Sequence, residues 1–256
     1  MSDLQGKVAI VTGASRGLGV GMALELARNG ASVMLTYTSD SSSSKVEQLV
    51  SQISQLPGNP SARGCKVDLS SIDGPQIVLA ELEAWLGADS RIHILVNNAG
   101  TEVVRPLADV TVADYEKVYN LNVRGPLLLT QALLPRFSES NNRIINIGSV
   151  GGRAGFKALS LYCSSKAALE GFTRCWAHEL GGNGTTVNQV NPGPVQTDML
   201  DNIPKGIVEM QKQQTPVENR VGTVDEIAKI VAWLASPSSS WISGQVISAS
   251  GGWAMY

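Results

Sequence analysis

Tyr162 and Lys166 stand four residues apart in Tyr162-Cys163-Ser164-Ser165-Lys166. That spacing places them on one face of a helix, a turn apart. An isolated phenol titrates near about 10 and an ammonium near about 10.4. A charged lysine one turn away favours the phenolate, so the pair is expected to lower the tyrosine pKa and to form a general acid/base. The same two residues alone also describe an ordinary surface pair. What distinguishes the readings is the rest of the chain.

The elements needed to hold such a pair are visible. Val8-Ala9-Ile10-Val11 is a short β-branched run of the kind found in buried parallel strands. Further strands are expected at Ser32–Tyr37, Ala62–Val67, Ile92–Val96, Arg143–Ile147, Thr185–Val190 and Gln245–Ser248. Between them lie helical patterns at Gly17–Asn29, Pro75–Leu86, Ala113–Phe137, about Tyr162 to Leu180, and Val224–Ala235. Ser41–Ser44 reads as a loop and helix cap. Alternation of strand and helix implies an α/β fold: one doubly wound domain over residues 1–256, with a seven-stranded, mainly parallel sheet covered on both faces.

Between the first strand and first helix lies Thr12-Gly13-Ala14-Ser15-Arg16-Gly17-Leu18-Gly19, where a dinucleotide fold places its phosphate turn. Gly13 allows the tight turn, Gly17 the approach of a pyrophosphate, and Gly19 close helix–strand packing. The helix N-terminus then faces the phosphates.

A net charge of -2 gives no basic footprint for nucleic acid. No apolar run approaches the roughly 20 residues of a membrane span. The opening Met1-Ser2-Asp3-Leu4-Gln5 shows no basic leader region, so no signal peptide is expected. Cys65, Cys163 and Cys175 lack metal-ligand spacing and leave one over if two pair, which suggests a reduced, cytoplasmic protein. His93 and His178, with no partner nearby in sequence, read as structural, and the site needs no metal.

The glycine spacing Gly13-x-x-x-Gly17-x-Gly19 resembles that of the short-chain dehydrogenase/reductase family, and the resemblance recurs in order along the chain. Asn97-Asn98-Ala99-Gly100 follows the fourth strand. Ser149 ends the fifth, and Tyr162 comes thirteen residues later. Asn191-Pro192-Gly193-Pro194-Val195-Gln196-Thr197 follows the sixth, and Gly251-Gly252 lies near the end. The resemblance implies a catalytic set of Asn122, Ser149, Tyr162 and Lys166. Ser149 would bind the carbonyl oxygen, Tyr162 would donate the proton, and Lys166 would hold a nicotinamide ribose. The Asn122 backbone carbonyl would hold a relay water. It also implies coenzyme contacts from Gly13, Ser15, Arg16, Gly17, Leu18, Gly19, Tyr37, Thr38, Ser39, Asp68, Leu69, Asn98, Ala99, Gly100, Tyr162, Lys166, Pro192, Gly193, Val195 and Thr197. Asp68 equally suits a helix cap in Asp68-Leu69-Ser70-Ser71.

The family sorts its coenzymes at the end of the second strand. Tyr37 there is not acidic, Thr38 and Ser39 are hydroxyl donors, and Arg16 suits a phosphate monoester, which favours NADP(H). Asp40 is the contrary feature. Asp198–Pro216, with Met199, Leu200, Ile203, Ile207, Val208 and Met210, reads as an apolar lid, and Gly151–Leu159 as a second wall. The implied activity is NADPH-dependent reduction of a hydrophobic or cyclic ketone of secondary-metabolite type, as in polyhydroxynaphthalene reductases. The alternatives are a 3-oxoacyl-thioester reductase, which would usually carry basic residues where Ser140 and Asn183 stand, or a non-redox step with NADP bound. The implied assembly is a homotetramer. Ser250 replaces an aspartate common before the final glycine pair, and Trp253, Met255 and Tyr256 either reach a neighbouring subunit or fray.

Overall fold

The structure, a computed structural model, describes residues 3–201 and 203–256, with Met199 and Asp201 as backbone only. Met1 and Ser2, from the opening stretch read as lacking a leader, and the side chain of the lid residue Met199 lie outside the described residues.

The strands are β1 (Val8–Val11), β2 (Ser32–Tyr37), β3 (Ala62–Lys66), β4 (Ile94–Asn97), β5 (Arg143–Ile147), β6 (Thr186–Pro192) and β7 (Val246–Ala249). The α-helices are α1 (Gly17–Arg28), α2 (Ser43–Ser54), α3 (Gly74–Leu86), α4 (Val112–Tyr119), α5 (Gly125–Leu133), α6 (Gly151–Ala154), α7 (Ser160–Leu180), α8 (Asp198–Asp201), α9 (Lys205–Gln213) and α10 (Val224–Ala235). The sheet order is β3-β2-β1-β4-β5-β6-β7, and every pairing is parallel. The order reverses between β1 and β4, so a crevice opens at that edge beyond the strand C-termini.

The apolar runs in the strands serve both faces. Ala9, Val11, Val33, Leu35, Ile94 and Val96 pack with α1, α2 and α10 on one side. Ile10, Met34 and Leu95 pack with α3, α5 and α7 on the other. Residues alternate between faces along a strand, so a strand buried on both sides must be apolar throughout.

The expected helix over Ala113–Phe137 is not continuous. A π-helical turn, Asn120–Arg124, separates α4 from α5, and a 3-10 turn, Leu134–Arg136, follows α5. Pro126 accounts for the first break: it supplies no N–H where an α-helix would pair with the Asn122 carbonyl. Asn122 therefore sits at the centre of a widened turn, a feature often found at functional sites.

The apolar residues of the lid region are not uniformly buried. Leu200 is buried, but Ile207 and Met210 on α9 are exposed.

Candidate active site

The phosphate turn is held from two sides. The Thr12 hydroxyl accepts from the backbone N–H groups of Asn98 (2.8 Å) and Ala99 (2.9 Å), and the Asn98 amide donates to the carbonyls of Thr12 (2.8 Å) and Gly13 (3.2 Å). On the β2 side, the N–H of Gly13 donates to the Thr36 hydroxyl and that of Ala14 to the Thr36 carbonyl. A Cβ on Gly19 would lie 2.2 Å from the Gly13 carbonyl oxygen, and one on Gly13 2.9 Å from the Ala99 Cα. These glycines leave a bare backbone cradle at the start of α1. No side chain caps that helix, whereas α4 and α10 carry capping boxes from Thr111/Asp114 and Thr223/Glu226. The first-turn N–H groups of α1 therefore face the crevice without a side-chain acceptor, the arrangement that receives phosphate. Gly17 and Thr197 are neighbours, which brings the loop after β6 against the turn.

At the ribose end, Arg16, Thr38 and Ser39 are exposed. The Ser39 hydroxyl bonds with those of Ser41 and Ser42. Asp40 is taken up in an ion pair with Lys66. Asp68 does not cap a helix: its carboxylate accepts from the N–H and hydroxyl of Ser70, because α3 begins only at Gly74.

The chemical groups meet where β4, β5 and β6 end. The Ser149 hydroxyl stands close enough to the Tyr162 phenol to lower its pKa, and it accepts from the Gly151 N–H at 3.0 Å. The Ser149 N–H donates to Asn191 Oδ1 at 3.1 Å. Lys166, only 4% exposed, donates from Nζ to the Ile147 carbonyl at 2.8 Å and lies 5.8 Å from the centre of the Tyr162 ring. Asn122 is fully buried. Its side chain accepts from the Thr101 N–H (2.8 Å) and donates to the Thr101 carbonyl (2.8 Å) and the Ser165 hydroxyl (3.0 Å). It thus pins the loop after β4 to α7. A Cβ on Gly100 would fall 3.3 Å from Lys166 Nζ, so that glycine keeps the lysine's surroundings open.

One expectation reverses. Burial pushes the Tyr162 phenol up to about 12; the nearby Ser149 hydroxyl works against this, and the Glu102 and Cys163 charges add to it. Burial also pulls the Lys166 ammonium down to about 8. The lysine's charge is directed to the Ile147 carbonyl rather than the phenol, and loss of water dominates both groups. At neutral pH, with no ligand bound, Tyr162 is a protonated acid.

The sequence reading did not single out Asn191 and Gln189 as site residues, although they support the serine. A Cβ on Gly148 would lie 2.0 Å from Asn191 Oδ1 and 2.1 Å from Gln189 Nε2, so the bare glycine makes room for both amides. Nor did it single out Glu102, whose carboxyl burial pushes up. A polar residue inside a buried strand, such as Gln189, was the available signal. Among the described residues no cluster suits a metal ion, and no helix is long and apolar enough to cross a membrane.

A seven-stranded parallel sheet with a glycine cradle at its switch point and a serine–tyrosine–lysine cluster beside it defines a dinucleotide-dependent oxidoreductase class. The chain matches the family model described as enoyl-(acyl carrier protein) reductase over residues 13–254. It is 42% identical over 259 residues to the short-chain dehydrogenase/reductase FrzI of Cladobotryum sp, covering 98% of this chain and 96% of the relative. It is 38% identical over 263 residues to the hydroxynaphthalene reductase-like protein Arp2 of Metarhizium robertsii, with the same coverage of each. Among solved structures, the angucycline C-6 ketoreductase LanV with bound NADP superposes with a TM-score of 0.90 at 31% identity, covering 98% of this chain and 96% of that one. The chain belongs to the short-chain dehydrogenase/reductase family.

Proposed function

We propose that this chain reduces a hydrophobic or cyclic ketone of secondary-metabolite type to a secondary alcohol, using NADPH. The observation that carries the reading is the cluster of Ser149, Tyr162 and buried Lys166, whose Nζ lies 5.8 Å from the centre of the Tyr162 ring, with Ala99 and Gly100 joining that corner to the glycine cradle. The cradle residues Gly13, Gly17 and Gly19 would hold the pyrophosphate, and Arg16 with Thr38 and Ser39 a 2′-phosphate. Lys166 would hold the nicotinamide ribose. Asp40, the acidic residue that would oppose a 2′-phosphate, is paired at the surface with Lys66. The bound coenzyme supplies the hydride.

The protein's own groups manage the proton and the charge. A neutral phenol is the form able to give a proton, and Tyr162 stays neutral until about pH 12 in the unliganded protein. The Ser149 hydroxyl stabilises negative charge developing on the carbonyl oxygen. Pro126 withholds the α-helical partner of the Asn122 carbonyl, which leaves that oxygen for a water on the way to Lys166.

The relatives support a ketone rather than a carrier-protein thioester, since hydroxynaphthalene reductase-like proteins and an angucycline ketoreductase are among them. Ser140 and Asn183 lack the positive charge an acidic carrier would meet. They precede β5 and β6, at the sheet edge opposite Ser149, and Asn183 there braces a turn by donating to the Glu139 carbonyl at 2.9 Å. The homotetramer and cytoplasmic location implied by the resemblance go with this reading.

The test is NADPH oxidation at 340 nm against β-ketoesters, cyclic diketones, quinones and hydroxynaphthalenones. Turnover is expected with cyclic or aromatic ketones. Tyr162→Phe should keep NADPH binding and lose at least about 10²-fold in turnover. Near-normal turnover of that variant would refute the assignment of the proton donor.

A further inference from the structure

Asn191, wholly buried at the end of β6, uses its whole amide. Oδ1 accepts from the Ser149 N–H at 3.1 Å and from Gln189 Nε2 at 2.7 Å. Nδ2 donates to Glu170 Oε1 at 3.0 Å and to the Tyr256 hydroxyl at 3.3 Å. Both hydrogens and both lone-pair directions are satisfied. Turned end for end, the amide would set a donor against the Ser149 N–H. The orientation that serves Ser149 is therefore selected by the Ser149 N–H on one side and the acceptor-only Glu170 carboxylate on the other, while the Tyr256 hydroxyl, able to donate or accept, tethers the Nδ2 end.

Glu170 and Tyr256 are themselves linked. Arg153 Nε donates to both Glu170 carboxylate oxygens, at 3.0 and 2.9 Å, and its guanidinium carbon lies 4.5 Å from the centre of the Tyr256 ring. That is a cation–π contact in range. Residues 250–256 are folded back to reach it. The Ser250 hydroxyl accepts from the Ala254 N–H at 3.1 Å, the Ser248 hydroxyl donates to the Ala254 carbonyl at 2.7 Å, and the Trp253 ring lies 5.6 Å from that of Phe156. Ser250, standing where the family commonly has an aspartate, is thus part of the fastening.

We propose that Tyr256 is a positioning residue for Ser149, acting through Asn191 in a closed ring of contacts with Arg153 and Glu170. The proposal rests on the ketone-reductase reading for its kinetic test. It gives residues 250–256 a role in holding the reactive corner, in addition to bordering the wall at Gly151–Leu159.

The experiment compares steady-state ketone reduction by the wild type, Tyr256→Phe, Tyr256→Ala, Ser149→Ala and the double variant Ser149→Ala/Tyr256→Ala. Tyr256→Ala is expected to lower kcat about tenfold, with KM and NADPH affinity changed less than about twofold. Tyr256→Phe, which keeps the ring on Arg153 but loses the acceptor, should fall between. In the Ser149→Ala background, Tyr256→Ala should cost nothing further. A tenfold loss in both backgrounds, or an effect confined to KM, overturns the proposal. In parallel, nitrogen-15 NMR of the ligand-free protein follows exchange of the Ser149 amide hydrogen, which should quicken in Tyr256→Ala; unchanged exchange also overturns it. Should the wild type reduce no ketone at all, the functional reading fails, while the exchange measurement still decides the ring of contacts.

Discussion

The turn that opens α1 and the corner that carries Ser149 share one edge of the sheet but are built by opposite means. The turn works by what is missing: Gly13 and Gly19 have no side chain, α1 has no side-chain cap, and backbone groups face the crevice. The corner works by side chains that are buried and engaged, with Ser149 held by Asn191, Lys166 by the Ile147 carbonyl, and Asn122 by Thr101 and Ser165. A backbone cradle tolerates little volume, whereas a polar cluster tolerates little change in charge or hydrogen bonding. The two regions should therefore fail in different ways.

The largest effect expected from that contrast is at Gly19. An alanine Cβ would lie 2.2 Å from the Gly13 carbonyl, and backbone rather than a flexible side chain would have to move. Gly19→Ala should weaken NADPH binding, measured by fluorescence, at least about tenfold, and destabilise the fold by about 1–3 kcal/mol as overpacking does. Unchanged binding would mean the cradle is not a steric device. A smaller effect is expected at exposed Arg16. Arg16→Ala should weaken NADPH about tenfold, consistent with loss of one charge-assisted contact, while NADH changes less than about twofold. Equal losses for both coenzymes would remove Arg16 from 2′-phosphate recognition.

The same contrast explains what the sequence disclosed. The cradle was legible because glycines at fixed spacing between a strand and a helix have few other uses, and the apolar strand runs disclosed the parallel sheet. The break at Asn120–Arg124 was not, since helical periodicity continues through it and only Pro126 marks the change. The direction of the Tyr162 shift was misread because spacing on a helix says that two residues are near, not where each side chain points. Lys166 points to Ile147, and burial governs both groups. Asn191 was overlooked as a support because its partners, Ser149 and Glu170, come from distant parts of the chain, and Gln189 because it reaches Ser149 only through Asn191. Tyr256 does not fray: its hydroxyl reaches Asn191.

The smallest and most specific effect concerns the buried charge. Lys166 has an ordinary pKa of 10.5 and about 8 in the folded protein, so between those values the unfolded chain binds more protons than the folded one. The lysine's contribution to stability then rises with pH across that window, and the cost of burying the charged lysine is fully present below about pH 8. Tyr162 enters with the opposite sign only above its ordinary value of 10, where the folded state keeps its proton and stability falls. The buried Cys65 thiol, pushed from 9.0 up to about 12, opposes the lysine over part of the same range, so urea unfolding of ligand-free protein at several pH values from 8 to 9.5 isolates the lysine only as a difference from Lys166→Met. Lys166→Met also strands the Ile147 carbonyl, but that loss does not vary with pH. The wild type should therefore gain stability relative to Lys166→Met by up to about 1 kcal/mol per pH unit. Parallel curves would show that Lys166 keeps its ordinary pKa, and the corner would then owe its chemistry to geometry alone.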